Sequence, residues 1–262
     1  MLYDKVVTRL VRDGTLRTDE RILVVCGGSF DRDVLKNAGF KDVTIANLDT
    51  SYEHDIQPFA WDRQDAEHLS YSDASFDVVI VHAGLHHCYS PHRGLLEMLR
   101  VARHGALVFE ARDGLFLNIA KRLGFTSDYE IEAVSAGGYV DGGVANTPIP
   151  NFIYRWTENE VLKTVRSAEP RFEPAVRFFH GLRLPHQGFS RIDRPFFRYA
   201  LLVIAPIAHL AAMIFKRQGN EFGFWIEKST VPHPWLENKN GEVVMNRLFV
   251  ERAGRVYRPV SK

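Results

Sequence analysis

Short all-apolar runs alternate with amphipathic stretches through the first half of the chain. Val6, Val7, Leu10 and Val11 fall on one helical face, and Gly14 follows as a stop. The run ILVVC at 22–26 is apolar at every position, the pattern of a strand covered on both faces. Residues 31–38 predict a short helix ended by Gly39, and 43–48 the next strand. FDVVIVH at 76–82 is the clearest buried strand. Ser90-Pro91 reads as an N-cap followed by proline at the first helical position. The helix it starts turns Leu95, Leu96, Met98, Leu99 and Ala102 inward, Gly105 is expected to end it, and 106–110 is a further strand. Strands separated by helices of this length predict an α/β fold with a parallel, doubly wound sheet.

The second half is less regular. Thr157-Glu158-Asn159-Glu160 is a capping box, with Trp156 and Val161 placed as its hydrophobic staple, so a helix is expected over 158–168. Residues 172–180 and 221–228 read as antiparallel strands closing the sheet. Two insertions remain. The first, 114–155, contains a stretch at 135–151 rich in glycine and too polar for a core, either a lid over a binding site or a long surface loop. The second, 184–220, contains a nearly uninterrupted apolar run at 199–215. As a straight helix that run would be about 25 Å long. It falls short of the ~30 Å hydrocarbon core of a bilayer. Basic residues flank it (Arg191, Arg194, Arg198, Lys216, Arg217), which suits peripheral membrane contact or a greasy acceptor pocket. Burial against the domain or in a homodimer fits equally well.

With 45% hydrophobic and 25% charged residues in 262, the chain has room for a full core, read here as a single domain spanning 1–262. A net charge of +1 gives no reason to expect a nucleic-acid partner. Two cysteines do not make a disulfide framework, and the charged N-terminus has no apolar core of a signal peptide, so a cytoplasmic protein is expected. In a doubly wound sheet the ligand lies beyond the carboxyl ends of the strands. Gly27 and Gly28 follow the first strand there, and Asp49 ends the second strand at the spacing that suits the hydroxyls of a ribose. A dinucleotide dehydrogenase would want G-x-G-x-x-G, and CGGSFD lacks its first and last glycines.

Asp65-Ala66-Glu67, the Leu-x-x-x-Asp-x-x-Phe-Asp run into the strand at 76–82, Leu85-His86-His87 and the helix ending Leu99-Arg100-Val101 stand in a telling order. Together they resemble the core of class I S-adenosylmethionine-dependent methyltransferases of the type 11 small-molecule group, over roughly residues 20–113. The resemblance implies a mostly parallel, seven-stranded Rossmann-like sheet with S-adenosyl-L-methionine as cofactor. It places Cys26, Gly27, Gly28 and Ser29 along the methionine part and Asp49 on the ribose. Asp65, Ala66 and Glu67 would lie at the adenine, and His82 and Ala83 at the methionine side. The chain departs from the family where Cys26 and Phe30 replace glycines and Val24 replaces an acid.

His86 and His87 are the candidate bases for a hydroxyl acceptor, since a neutral imidazole can take a proton near neutral pH. The expected acceptor is a small or lipid-linked molecule, such as a hydroxyl of a sugar or natural product. The alternative is a catalytically silent binding or partner subunit. His82, His86, His87, Cys88 and His92 crowd together, yet His82 ends a strand and His92 opens a helix, so no metal site is expected. A nucleophilic Cys26 lacks a following His and acid in supporting order.

Overall fold

Ile22–Val25 (β1), four residues buried on both sides, lies in the interior of a seven-stranded sheet. In the computed structural model, which describes residues 1–122, 126–182 and 215–252, β1 pairs in parallel with Val43–Asn47 (β2) on one side. On its other side it pairs in parallel with Phe76–His82 (β4). Ala60–Arg63 (β3) extends the β2 edge, and Ala102–Ala111 (β5) runs parallel to β4. Beyond β5, Glu221–Glu227 (β7) runs antiparallel, and Ala175–Gly181 (β6) pairs with it at the far edge. The order β3-β2-β1-β4-β5-β7-β6 is the expected mostly parallel, doubly wound arrangement, with the winding reversed between β1 and β4.

Because side chains alternate along a strand, the sheet divides its residues between two cores. Leu23, Val25, Val79, Val81, Ala106 and Val108 face one side. There they meet Leu95, Met98 and Val101 of Pro91–Val101 (α3), and Val161 and Val165 of Glu158–Ala168 (α6). Ile22, Val24, Ile45, Val78, Ile80 and Leu107 face the other side. They pack on Tyr3, Val6, Val7 and Leu10 of Leu2–Arg12 (α1), and on Val34 and Leu35 of Ser29–Ala38 (α2).

Several caps stand where the sequence puts them. Ser90 Oγ accepts from Arg93 N, with Pro91 at the first helical position. Gly39 ends α2 in the left-handed conformation, φ 90°. One expectation fails. Gly105 does not end α3; the helix stops at Val101 and β5 begins at Ala102. A Cβ on Gly105 would sit 2.3 Å from the Ile226 carbonyl oxygen, so this glycine serves the close approach of β7. Leu96 is also at the surface instead of facing inward. The edge strand β3 and the hairpin Leu236–Lys239 (β8) with Glu242–Met245 (β9) carry no strong apolar run and are not foreseen.

The first insertion folds as Leu115–Arg122 (α4), Ile131–Ala136 (α5) and looser turns. Of the second insertion, 183–214 lie outside the described residues, and with them all but the last residue of the apolar run at 199–215. Among the described residues, no helix is long and apolar enough to cross a membrane.

The start of α6 is held by a complete capping box. Thr157 Oγ1 accepts from Glu160 N at 3.3 Å, and Glu160 Oε2 accepts from Thr157 N at 2.8 Å. Trp156 and Val161 on either side are fully buried. Thr157→Ala should therefore cost about 1 kcal/mol. In a domain of this size that lowers the melting temperature by roughly 2–4 °C. An unchanged melting curve would show that the box contributes nothing.

Candidate functional site

The chain leaves β1 through Cys26, which adopts φ 52°, a left-handed backbone normally reserved for glycine. Gly27 follows, where a Cβ would lie 2.7 Å from Val24 Cγ1 and 2.9 Å from Ile45 Cγ2. Gly28 is the N-cap of α2, and its N–H donates to Asp31 Oδ2 at 3.0 Å. The loop is tied to the end of β2 by Asn47, whose Nδ2 donates to Gly27 O at 3.0 Å while its Oδ1 accepts from Asp49 N at 3.2 Å. Asp49 Oδ1 in turn accepts from Ser51 N at 2.9 Å. Asn47 is thus a positioning residue that the sequence pattern does not reveal.

These groups surround a cavity of about 720 Å³ at the carboxyl ends of β1, β2 and β4. Cys26, Gly27, Gly28 and Ser29 form one wall and Asp49 another. Asp65, Ala66, Glu67, Ala83 and His87 complete the lower part. Asp65 Oδ1 accepts from Glu67 N at 2.9 Å, shaping the turn. Both oxygens of Glu67 are engaged by the chain ahead of α3, accepting from Tyr89 N at 2.7 Å and Ser90 N at 2.9 Å. The first insertion closes the far side with Ala133, Gly137 and Asp141–Gly143. Tyr52 and Gln64 also line the space.

Two of the expected site residues stand elsewhere. Successive side chains of β4 point to opposite faces, and His82 falls on the α1 side. Its ring stacks on Tyr3 with centroids 4.8 Å apart and lines a separate cavity of about 200 Å³. His82 is therefore not in the wall of the large cavity, which corrects the placement expected for it. His86 is buried beneath the loop, and its Nδ1 donates to Glu110 Oε2 at 2.7 Å. Glu110 Oε1 accepts from Gly84 N at 2.9 Å and Leu85 N at 2.7 Å. Glu130, at the N-cap of α5, brings Oε2 within 3.2 Å of His86 Nε2 and 3.4 Å of His87 Nε2. Nothing in the sequence pairs Glu130 with the histidines, because it lies in the irregular insertion.

The electrostatics follow from these contacts. Burial works against a charge on His86, but the Glu110 and Glu130 carboxylates outweigh it and push its pKa to about 10. His87 is held below the ordinary value by burial and then by its charged neighbour His86. The hydrogen bond from His86 leads in lowering Glu130 to about 2, against its partial burial. Cys26 and Cys88 are both free and both line the cavity, and the Cys26 thiol beside it, with burial, pushes Cys88 far up.

Residues 24–109 match the family model described as a methyltransferase domain. Solved structures similar to the chain include magnesium protoporphyrin IX methyltransferase from Synechocystis PCC 6803 with bound SAH, at 15% identity and TM-score 0.52, covering 86% of this chain and 81% of that one. The YcgJ protein from Bacillus subtilis is similar at 12% identity and TM-score 0.51, with 86% and 98% covered. A chain of the Haloferax volcanii complex between the Trm112 methyltransferase activator and a methyltransferase is similar at 13% identity and TM-score 0.51, with 87% and 96% covered. No curated protein matches the chain. The chain thus shares the fold of these structures, and residues 24–109 are similar to a methyltransferase domain.

Asp31 gives the site a measurable signature. Burial leads in raising its pKa from 3.8 to about 6, against the hydrogen bond from Gly28. The Tyr3 hydroxyl beside it also works against the rise. A folded-state pKa above the unfolded one means the folded protein holds the proton more tightly. The stabilisation is complete below pH 3.8 and is lost as pH rises through about 6. A shift of this size corresponds to about 3 kcal/mol. Asp31→Asn keeps an acceptor for Gly28 N and removes the titration. The melting temperature of the variant relative to the wild type should therefore rise between pH 4 and pH 7, and parallel curves would contradict this assignment.

Proposed function

We propose that this protein is an S-adenosylmethionine-dependent methyltransferase acting on a hydroxyl group of a small-molecule or lipid-linked acceptor, with the cofactor lying across the Cys26–Ser29 loop and the acceptor beside His87. The observation that carries the reading is the convergence of that loop, Asp49, the 65–67 turn and His87 on one cavity at the reversal of the sheet. The residues fit the cofactor. The cavity has the size of an ordinary small-molecule site. Gly27 leaves the backbone no side chain above the β1 end, and α2 opens right after it at Ser29 on the cavity wall. Asp49 stands ready for the ribose hydroxyls, and Asp65 with Ala66 borders the place for the adenine. S-adenosylmethionine, when bound, supplies an electrophilic methyl group on a sulfonium.

What this chain contributes is alignment and the handling of the acceptor proton. Of the two histidines, His87 is the one in the cavity wall, so it faces the acceptor. His86 is a positioning residue, fixed at Nδ1 by Glu110. The first insertion covers the cavity with small residues and glycines, leaving room for an acceptor beside His87. The free cysteines support a working place in the cytoplasm.

Calorimetry should show binding of S-adenosylmethionine or S-adenosylhomocysteine. Asp49→Ala should weaken it roughly tenfold to a hundredfold, as for buried hydrogen bonds left unmade. A wild type that binds NAD and neither of these compounds would overturn the assignment. With an acceptor from a screen of hydroxyl compounds, His87→Ala should lose roughly 10²–10⁴ in turnover while S-adenosylhomocysteine affinity stays the same. Full turnover in that variant would remove His87 from the reaction.

A further inference from the structure

The geometry points to a binding site for one divalent transition-metal ion, formed by His86 Nε2, His87 Nε2 and a Glu130 carboxylate oxygen, at the edge of the cofactor cavity. One potential ligand atom from each of the three residues lies within 4.8 Å of the others. Glu130 Oε2 is 3.2 Å from His86 Nε2 and 3.4 Å from His87 Nε2. Ligand atoms placed tetrahedrally around an ion with bonds of 2.0–2.1 Å stand about 3.3 Å apart. These two separations match that edge length, and the third edge, between the two imidazoles, is within 4.8 Å.

The tautomers agree. His86 Nδ1 faces Glu110 Oε2 at 2.7 Å, and His87 Nδ1 faces the Gly143 carbonyl oxygen at 3.4 Å. Both partners can only accept, so each ring carries a proton on Nδ1, and the second proton of His86, on Nε2, is the one donated to Glu130. A metal ion would take the place of that proton, with two imidazole nitrogens and a carboxylate oxygen facing one point. A ligating histidine whose second nitrogen donates to a carboxylate or carbonyl is the usual outer shell of a metal site. Glu130 is itself held, since Asn151 Nδ2 donates to Glu130 Oε2 and to His86 O, each at 3.2 Å. Two imidazoles and one carboxylate suit zinc, cobalt or iron, whereas magnesium and calcium prefer oxygen ligands.

The consequence for catalysis rests on the proposed methyl transfer to a hydroxyl. His87 also lines the cavity, so a remaining coordination position is open to the acceptor oxygen. There the O–H bond breaks more readily, its electron pair stays on oxygen, and the proton passes to water. In that form His87 handles the acceptor proton through the ion it holds. Glu130 ties the first insertion to the same point, so the ion would couple the cavity roof to the β4 end.

The test uses the full-length chain without an affinity tag, stripped with a chelator. Zinc is titrated by calorimetry and cobalt by visible absorption. The wild type should take up one equivalent of zinc at submicromolar affinity, and its cobalt form should show intense tetrahedral bands. His87→Ala and Glu130→Gln should each weaken zinc binding at least a hundredfold, with Glu130→Gln leaving S-adenosylhomocysteine affinity unchanged. Glu110→Gln should weaken it roughly tenfold to a hundredfold, because an amide facing Nδ1 drives the proton onto Nε2. Zinc uptake that is absent in the wild type, or equal in all four proteins, would overturn the site. Zinc bound as expected without any binding of S-adenosylhomocysteine would leave the site standing and remove the methyl-transfer reading instead.

Discussion

The arrangement beyond the sheet hangs on one buried carboxylate. Glu110, at the end of β5, accepts from Gly84 N, Leu85 N and His86 Nδ1, and its side chain is wholly shielded from solvent. The loop leaving β4 through Ala83, at φ 53°, cannot satisfy these donors by itself. Removing the acceptor would strand three buried groups, each costing about 1–3 kcal/mol. Glu67 performs the matching task on the other flank, receiving Tyr89 N and Ser90 N. Between these two anchors the segment carrying His86, His87 and Cys88 has little freedom, which is what places His87 in the cavity wall.

The same tightness explains the departures from the usual glycine loop. Cys26 keeps the left-handed backbone that a glycine would adopt without strain, at a cost of order 1–3 kcal/mol. The surroundings hold it there: Gly27 is packed against Val24 and Ile45, and Asn47 bonds to the Gly27 carbonyl. Val24, where the resemblance leads one to expect an acid, is fully buried. Close by, Asp31 brings a carboxylate to the Gly28 amide from within α2. The loop therefore keeps a glycine-like backbone while its residue types differ.

The insertion at 114–155 adds the part of the site furthest from the sheet. Its Glu130 and Gly143 meet His86 and His87, and its glycines border the cavity. Its end is tied to its own middle by Arg155, whose guanidinium donates to Asp128 Oδ1 and Ser127 O. The far side of the cavity and the environment of both histidines are thus set by a segment outside the matched residues 24–109.

The sequence alone determined what is local. Apolar runs covered on both faces became β1 and β4, the Ser90-Pro91 start and the Thr157–Glu160 box became helix N-termini, and the Gly27-Gly28 turn and Asp49 marked the end of the sheet where the large cavity lies. Each depends on neighbours a few residues away, so the physics is written in adjacent letters. Gly105 was misleading because a glycine that stops a helix and one that lets a strand approach look alike in sequence. The short, half-exposed β3 gave no apolar run to read, and His82 could be assigned to a face only once β4 had its place between β1 and β5. The clamp of Glu110 on the β4 loop, the bridge of Asn47 between two strand ends and the meeting of Glu130 with both histidines were decided by tertiary structure alone. They join residues from separate strands and from an irregular insertion, and the hydrogen-bonding needs of buried groups are met by whatever the fold brings close.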